Sequence, residues 1–233
     1  MPSKNIYQLY AELEDFKPKI WRRFQVADNI TVAMLGYIIM TMYEMTASHL
    51  LAIEHECPFL TPSGKQSKRM ELLCRYDIPN DYSDWKELGG EDATKTRLSE
   101  IKFEPTSRIL VWYDFGDDWR VAVKPEKTFE TEELPDCKFP RVLEGKGYGI
   151  VEDCGGVWGL DRLVQAFAKK KGKEYEELSE WLGEEDFDIN AFDIDDMNFR
   201  LTKIPQIYKK IYENKTVPTR NSIGLIERQY LDK

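Results

Sequence analysis

The sequence has few of the residues that bind metals or cross-link a chain. Its 233 residues include two histidines, His49 and His55, and four cysteines, none of them in a C-x-x-C pair. Two histidines are too few for a histidine-rich metal site, and the irregular cysteine spacing argues against a structural zinc knuckle. We therefore expect four free thiols, as in a reducing compartment.

Long apolar runs and an excess of basic residues are absent as well. No stretch reaches the ~18 consecutive apolar residues of a membrane helix, and the first residues do not follow the pattern of a secretory signal. We therefore expect a cytoplasmic protein that does not use a membrane. The net charge of −9 argues against an ordinary nucleic-acid-binding protein, because such proteins usually carry a basic excess.

Acidic residues are abundant, and they are concentrated in one segment. Residues 174–196 include eleven acidic residues and no basic ones, whereas residues 203–233 include seven basic and three acidic residues. The acidic segment has two interpretations. It forms a solvated helical face, or its carboxylates imitate a phosphate backbone and bind a basic protein groove. The candidate partner-binding residues are Glu176, Glu177, Glu180, Glu184 and Glu185.

The hydrophobic pattern predicts strands first and helices last. Apolar and polar residues alternate over residues 6–13, which is typical of a half-buried strand. Apolar residues then recur at helical spacing over residues 32–42, after candidate N-caps at Asp28, Asn29 and Thr31. Further strands precede several amphipathic helices. This order predicts an α+β fold with a mixed or antiparallel sheet, a helix after the first strands and a helical C-terminal half.

We expect one domain over residues 1–203 and a helical, basic extension over residues 204–233. Residues 127–149 are punctuated by proline and glycine, so we expect them to form a connection.

Four basic side chains are candidates for weak, salt-sensitive nucleic-acid contacts. They are Arg22, Arg23, Lys209 and Lys210. The alternatives are a structural ion pair between one of the arginines and an aspartate of the later hairpin, and a docked terminal helix for the lysines.

An acidic turn carries the strongest hint of chemistry. Residues 113–126 read YDFGDDWRVAVKPE, which predicts two short strands joined by a turn. Carboxylates of this turn could combine with those of the later sequence EDCGG to bind Mg²⁺ or Mn²⁺. The candidate ligands are Asp114, Asp117, Glu152 and Asp153. His49 or Cys154 could add a softer ligand.

The same acidic residues also have a purely structural interpretation. Asp117 would bond to the backbone of its own turn, with Gly116 supplying a positive φ. Glu152 and Asp153 would cap the helix that follows them. The pattern alone leaves both interpretations open.

Several segments together resemble one known family. They are KPKIWRRFQV, the helical segment ITVAMLGYIIMTM, YDFGDDW, EDCGGVWG and WLGEEDFDINAFDIDDMN, in that order. The chain resembles the plasmid Ri ORF-three-like family, the TnpR-like passenger proteins of insertion elements, over about residues 5–203. The resemblance implies an α+β fold and an association with mobile genetic elements, without an established activity. Val121 stands where family members often carry a histidine, and Val151 where they often carry a proline.

Two functional hypotheses follow. The leading one is an accessory protein of a mobile element that is not an enzyme, requires no cofactor and binds a protein that handles nucleic acid. Inhibition of a host defence nuclease, such as a CRISPR effector, is one concrete form. The alternative is a phosphodiesterase or nuclease that uses Mg²⁺ or Mn²⁺ at the carboxylate cluster.

Overall fold

A computed structural model, which describes residues 3–60, 66–79 and 89–230, contains one sheet of eight strands. The strands are β1 (Asn5–Leu13), β2 (Trp21–Ala27), β3 (Leu51–Leu60), β4 (Gln66–Asp77), β5 (Glu91–Asp92), β6 (Arg108–Tyr113), β7 (Trp119–Glu130) and β8 (Arg141–Lys146). Their order across the sheet is β5-β4-β3-β6-β7-β1-β2-β8. Neighbouring strands are antiparallel except for the parallel pair β4 and β5.

Six α-helices occur within the described residues. They are α1 (Val32–Met42), α2 (Gly156–Lys169), α3 (Lys173–Leu182), α4 (Ile194–Leu201), α5 (Ile204–Asn214) and α6 (Arg220–Ile226). Five of the six follow the last strand, so the predicted α+β fold with a helical C-terminal half is confirmed. None of the helices in the described part of the chain has the length and apolar character needed to cross a membrane.

Helix α1 is the centre of the core. Of the three candidate caps, Thr31 is the N-cap, and its hydroxyl accepts a hydrogen bond from the Met34 amide at 3.1 Å. All residues of α1 except Met34 are buried. A helix that is apolar on all sides must be covered on all sides, and α1 contacts β3 and β4 of the sheet and helices α4 and α5.

Strand β8 corrects the prediction of a connection over residues 127–149. Residues 141–146 pair with β2 instead, and β7 itself extends to Glu130. Apolar and polar residues do not alternate cleanly in the sequence RVLEGK, so no local pattern predicts a strand here. Its place in the sheet depends on pairing with β2, which is distant in the sequence. The free edge of β8 meets Asn198 of α4, whose side-chain amide bonds both backbone groups of Val142, at 2.7 Å for the amide N–H and 3.1 Å for the carbonyl.

The segment predicted as an extension, residues 204–233, is docked on the body as far as it is described. Tyr208 of α5 is fully buried and donates to the carbonyl of Met45. Tyr212 stacks on Tyr37 of α1, with 5.6 Å between ring centroids. Arg228 then binds the Glu44 carboxylate at 2.8 Å. Helices α5 and α6 therefore complete the same core.

Candidate metal centre

Three loops at one end of the sheet bring together a histidine and three carboxylates. His49 lies between α1 and β3, Asp114 directly follows β6, and Glu152 and Asp153 lie between β8 and α2. Strands β3 and β6 are antiparallel neighbours, so the residue before β3 lies beside the residue after β6. The Asp114 amide accordingly donates to the Leu50 carbonyl at 3.0 Å.

The His49 ring lies between these carboxylates. Its Nδ1 is 3.5 Å from Asp114 Oδ2, and its Nε2 is 3.5 Å from Glu152 Oε2 and 3.4 Å from Asp153 Oδ1. One ligand atom from each of His49, Asp114 and Asp153 lies within 4.8 Å of the other two. Two ligands of one ion lie ~3.0–3.5 Å apart when each bond is ~2.1 Å long. The two contacts of Nε2 have this length, and the three-residue group whose ligand atoms lie within 4.8 Å consists of His49, Asp114 and Asp153, with Glu152 Oε2 beside the ring.

Two ligand atoms of this cluster lack a hydrogen-bond partner. Among the described residues, His49 Nε2 and Glu152 Oε2 are both buried without one. Buried polar atoms are normally satisfied, since an unpaired one costs about 1–3 kcal/mol. A cation between the two atoms would satisfy both. Asp153 is 73% exposed, so this side of the cluster is open to solvent.

The other oxygen of Glu152 is held firmly. Glu152 Oε1 accepts hydrogen bonds from the Thr46 amide at 2.6 Å, the Thr46 hydroxyl at 3.0 Å and the Tyr113 hydroxyl at 2.8 Å. Burial, followed by the charge of Glu152, raises the pKa of Tyr113 above the usual phenol value, so the hydroxyl stays a neutral donor. These bonds fix the direction of Oε2 toward the histidine.

Three residues in the loops that carry the cluster have a left-handed backbone conformation. Ala47, Asp114 and Asp153 have φ angles of 67°, 52° and 56°. Residues other than glycine adopt this left-handed region at a cost, and such residues collect at functional sites because the surrounding structure must hold them there. Asp114 Oδ1 also accepts the Gly116 amide at 3.0 Å, which fixes the carboxylate against its own turn.

Asp117, one of the four predicted ligands, lies outside the group that converges on His49. Its Oδ2 accepts the Gly155 amide at 3.2 Å, which joins the acidic turn to the EDCGG loop. The contact is close: Gly156 has a φ of 67°, and a Cβ there would lie 2.3 Å from the Asp117 carbonyl oxygen. Asp117 therefore holds two loops together.

Two details of the structural interpretation are wrong. The positive φ angles of the turn belong to Asp114 and Asp118, and Gly116 does not share them. Helix α2 has Gly155 as its N-cap, so neither Glu152 nor Asp153 is the capping residue. Glu152 is directed to Thr46 and Tyr113 instead, because the loop must bend before the helix begins.

Cys154 is unsuited to act as a nucleophile. Burial, followed by the charge of Asp117, raises the pKa of its thiol to about 12. The thiolate, which is the reactive form and the metal ligand, is therefore scarce at neutral pH. Cys154 Sγ lies 3.6 Å from the Gly156 carbonyl oxygen, in hydrogen-bonding geometry.

The predicted nucleic-acid contact of Arg22 is wrong, because Arg22 is fully buried. Its guanidinium donates to the carbonyls of Lys146, Gly147 and Tyr148 at 2.6–3.0 Å and lies over the Phe192 ring. It joins β2 to the segment that follows β8.

Arg23 forms a structural ion pair, with glutamates in place of the expected hairpin aspartate. It binds Glu126 at 2.7 Å and Glu144 at 2.5 Å. Lys209 and Lys210 lie on α5, where Lys209 approaches Glu213 at 3.6 Å and Lys210 is exposed.

The five glutamates predicted to bind a partner are all exposed. Helix α3, which carries three of them, buries none of its residues in the described structure. Trp181 on the same helix is 49% exposed, and Trp158 on α2 is 86% exposed. The surface is therefore accessible, acidic and partly aromatic.

Sequence reasoning named His49 only as an optional ligand and missed Thr46 and Tyr113. His49 is one of two histidines in the chain and follows the central helix, and Tyr113 directly precedes Asp114. Neither signal shows that loops about a hundred residues apart meet in space.

Known proteins share this sequence and fold. The sequence model of the plasmid pRiA4b ORF-3-like proteins matches residues 5–196. The uncharacterized protein y4hQ of Sinorhizobium fredii is 26% identical over 195 residues, which cover 83% of this chain and 89% of that one. The crystal structure of MM3350, a protein of unknown function from Methanosarcina mazei, has a TM-score of 0.65 at 30% identity and covers 83% of this chain and 97% of its own. The family match spans most of the chain and includes Asp114, Glu152 and Asp153, so the chain belongs to the plasmid pRiA4b ORF-3-like family.

Proposed function

We propose that this protein is a metal-dependent hydrolase whose cation binds at His49 and the neighbouring carboxylates of Asp114, Glu152 and Asp153. The observation that supports this most strongly is the pair of unpartnered buried atoms, His49 Nε2 and Glu152 Oε2, at 3.5 Å from one another. An imidazole nitrogen facing two carboxylates is an arrangement that divalent metals use.

The donor set favours a transition metal. Carboxylate oxygens alone suit Mg²⁺, whereas an imidazole nitrogen shifts preference toward Mn²⁺ or Zn²⁺. Asp114 faces the opposite ring nitrogen, Nδ1, at 3.5 Å. A carboxylate in that position orients a metal-binding histidine and increases its basicity. Asp114 therefore belongs to the proposed centre, whereas Asp117 is not required.

When bound, such a cation supplies a polarised water and a Lewis acid for hydrolysis. Asp153 is exposed, so the side of the centre that it lines would be open to a substrate. Tyr113 and Thr46 hold Glu152 in place during the reaction. A small phosphodiester is the substrate class to assay first. The cation would balance the charge of one phosphate oxygen, so the substrate needs no basic side chain of the protein.

Calorimetric titration with Mn²⁺, Zn²⁺ and Mg²⁺ tests the proposal. We expect saturable binding of Mn²⁺ or Zn²⁺, tighter than that of Mg²⁺, and at least a tenfold loss of affinity in His49→Ala and Asp153→Asn. Asp153→Asn is a mild change, because asparagine tolerates a positive φ. Asp161→Asn on α2 is the matched control and should bind as the wild type does. Absence of saturable binding, or an equal loss in the control, would refute the metal centre.

A second candidate function is the leading hypothesis of the sequence, recognition of a basic protein partner by a mobile-element protein. The exposure of all five candidate glutamates supports it, together with the exposed Trp181 on α3, the helix that carries three of them. The plasmid origin in the family's name also supports an accessory role on a mobile element.

Inhibition of DNA cleavage by a purified CRISPR effector tests this second function. We expect dose-dependent inhibition by the wild type and its loss when the five glutamates are changed to lysine, because charge reversal would repel a basic groove. The five positions are Glu176, Glu177, Glu180, Glu184 and Glu185. If the wild type leaves cleavage unchanged, or the reversed variant inhibits equally well, anti-nuclease recognition is wrong.

A further inference from the structure

A cavity of about 570 Å³ opens beside the metal centre and shares Glu152 with it. Its size is that of a small-molecule site. Apolar and aromatic side chains line part of it, including Ile150, Leu182 and Phe187. Tyr148 packs edge-to-face on Phe187, with 5.5 Å between ring centroids. The cavity can therefore hold the apolar part of a ligand.

Carboxylates dominate the polar lining. Besides Glu152, the cavity is lined by Glu44, Glu184, Asp186, Asp188 and Glu227. Arg228 also lines it, but its guanidinium is occupied by Glu44 at 2.8 Å and by Asp196 at 2.8 Å. Outside the lining, Lys170 pairs with Asp186. Negative charge exceeds positive charge here, which repels an extended polyanion and attracts a cation.

Glu44 points to the kind of ligand that fits. Its side chain is 7% exposed, and its Oε2 is bound by Arg200 at 2.6 Å and by Arg228. Its Oε1 is buried and has no hydrogen-bond partner among the described residues. A fixed, buried carboxylate oxygen with free lone pairs calls for a hydrogen-bond donor, and the exposed carboxylates of the lining favour a donor that carries positive charge.

We infer that this cavity binds an alkylammonium or alkylguanidinium group, with the cationic head on Glu44 Oε1 and the neighbouring carboxylates and the stem against the Tyr148–Phe187 wall. The role in substrate recognition rests on the proposed function, because Glu152 belongs to both sites. The substrate of the hydrolase then carries a cationic group next to the bond that is cleaved. The same chemistry occurs in a free amine or guanidine and in a lysine or arginine side chain.

Calorimetry with butylguanidine and butylamine, using butylurea as the uncharged control, tests the cavity. We expect saturable binding of the two cations and none of butylurea. The double variant Glu184→Gln/Glu227→Gln should weaken binding at least tenfold. Ala191→Phe should do the same by filling the cavity without changing its charge. Glu100→Gln/Glu104→Gln removes two exposed charges outside the cavity and should bind within twofold of the wild type.

Failure of the inference and failure of the proposed function are distinguishable. If neither cation binds saturably, or if the control double variant loses as much affinity as the cavity variant, the inference is overturned. If butylguanidine binds while Mn²⁺ and Zn²⁺ do not, the inference about the cavity is supported and the proposed metal centre is refuted. Tighter binding of the peptide acetyl-Gly-Arg-Gly-amide than of butylguanidine would identify a protein side chain as the ligand, and weaker binding a free metabolite.

Discussion

At the scale of single residues, Glu152 determines how the candidate centre is arranged. One of its oxygens accepts three hydrogen bonds, from Thr46 and Tyr113, while the other remains without a partner beside His49. The carboxylate therefore cannot rotate to satisfy its free oxygen without losing bonds. Pre-orientation of this kind lowers the cost of ligand binding, because less side-chain freedom is lost.

The chemistry of Cys154 provides a prediction at the same scale. With the pKa of its thiol raised from 9.0 to about 12, the thiolate fraction at pH 8 falls about 1,000-fold. We therefore expect iodoacetamide to alkylate Cys154 far more slowly in the folded protein than after unfolding in urea. Peptide mapping by mass spectrometry measures both rates. Comparable rates in the two states would show that the thiol is accessible and reactive.

Much of the fold, and part of the centre, follows from local sequence patterns. Alternation of apolar and polar residues identifies the strand of residues 6–13, and helical spacing identifies helix α1. Clustering of acidic residues identifies Asp114, Glu152 and Asp153. Arg22 could not be placed, since an arginine followed by another arginine is typical of a surface. Its burial depends on three carbonyls more than a hundred residues away.

At the scale of elements, helix α5 supports the loop that carries His49. Tyr208 donates to the Met45 carbonyl, and Tyr212 donates to the carbonyl of His49 itself at 2.5 Å. The family match ends at residue 196, before this helix. A helix outside the residues that the family model matches thus supports the loop that carries His49.

Tyr212→Phe tests this support. Removal of the hydroxyl frees the His49 carbonyl, and we expect a loss of about 1 kcal/mol of stability together with a severalfold loss of Mn²⁺ or Zn²⁺ affinity. Tyr230→Phe, which removes a bond of 2.5 Å to Asp196, is the matched control and should affect stability alone. Denaturation and calorimetric titration separate the two effects. Unchanged metal affinity in Tyr212→Phe would show that the loop keeps its shape without α5.

At the scale of the whole molecule, buried tyrosines make the fold sensitive to alkali. Four of them are fully buried: Tyr37, Tyr43, Tyr113 and Tyr208. Burial raises the pKa of each above its ordinary value of 10.0. Above pH 10 the unfolded chain loses these protons while the folded chain keeps them, so stability falls as the pH rises. Below pH 10 these tyrosines make their full contribution to the free energy of unfolding.

We expect the guanidinium chloride midpoint to stay nearly constant from pH 8 to about pH 9 and to fall sharply between about pH 10 and pH 11. Each buried tyrosine contributes up to about 1.4 kcal/mol per pH unit above 10. The variant Tyr37→Phe lacks one of these groups and should lose less stability over the same interval. A midpoint that does not change across this range would show that the phenols ionise freely in the folded state.

The side-chain amide of Asn198 has a consequence for how copies of this protein behave toward one another. It presents a carbonyl and an N–H to Val142 in the way that the backbone of a ninth strand would. The outer margin of β8 is thus already occupied where an intruding chain would begin to pair. One side chain from a helix thereby opposes the pairing of β8 with a strand of another copy.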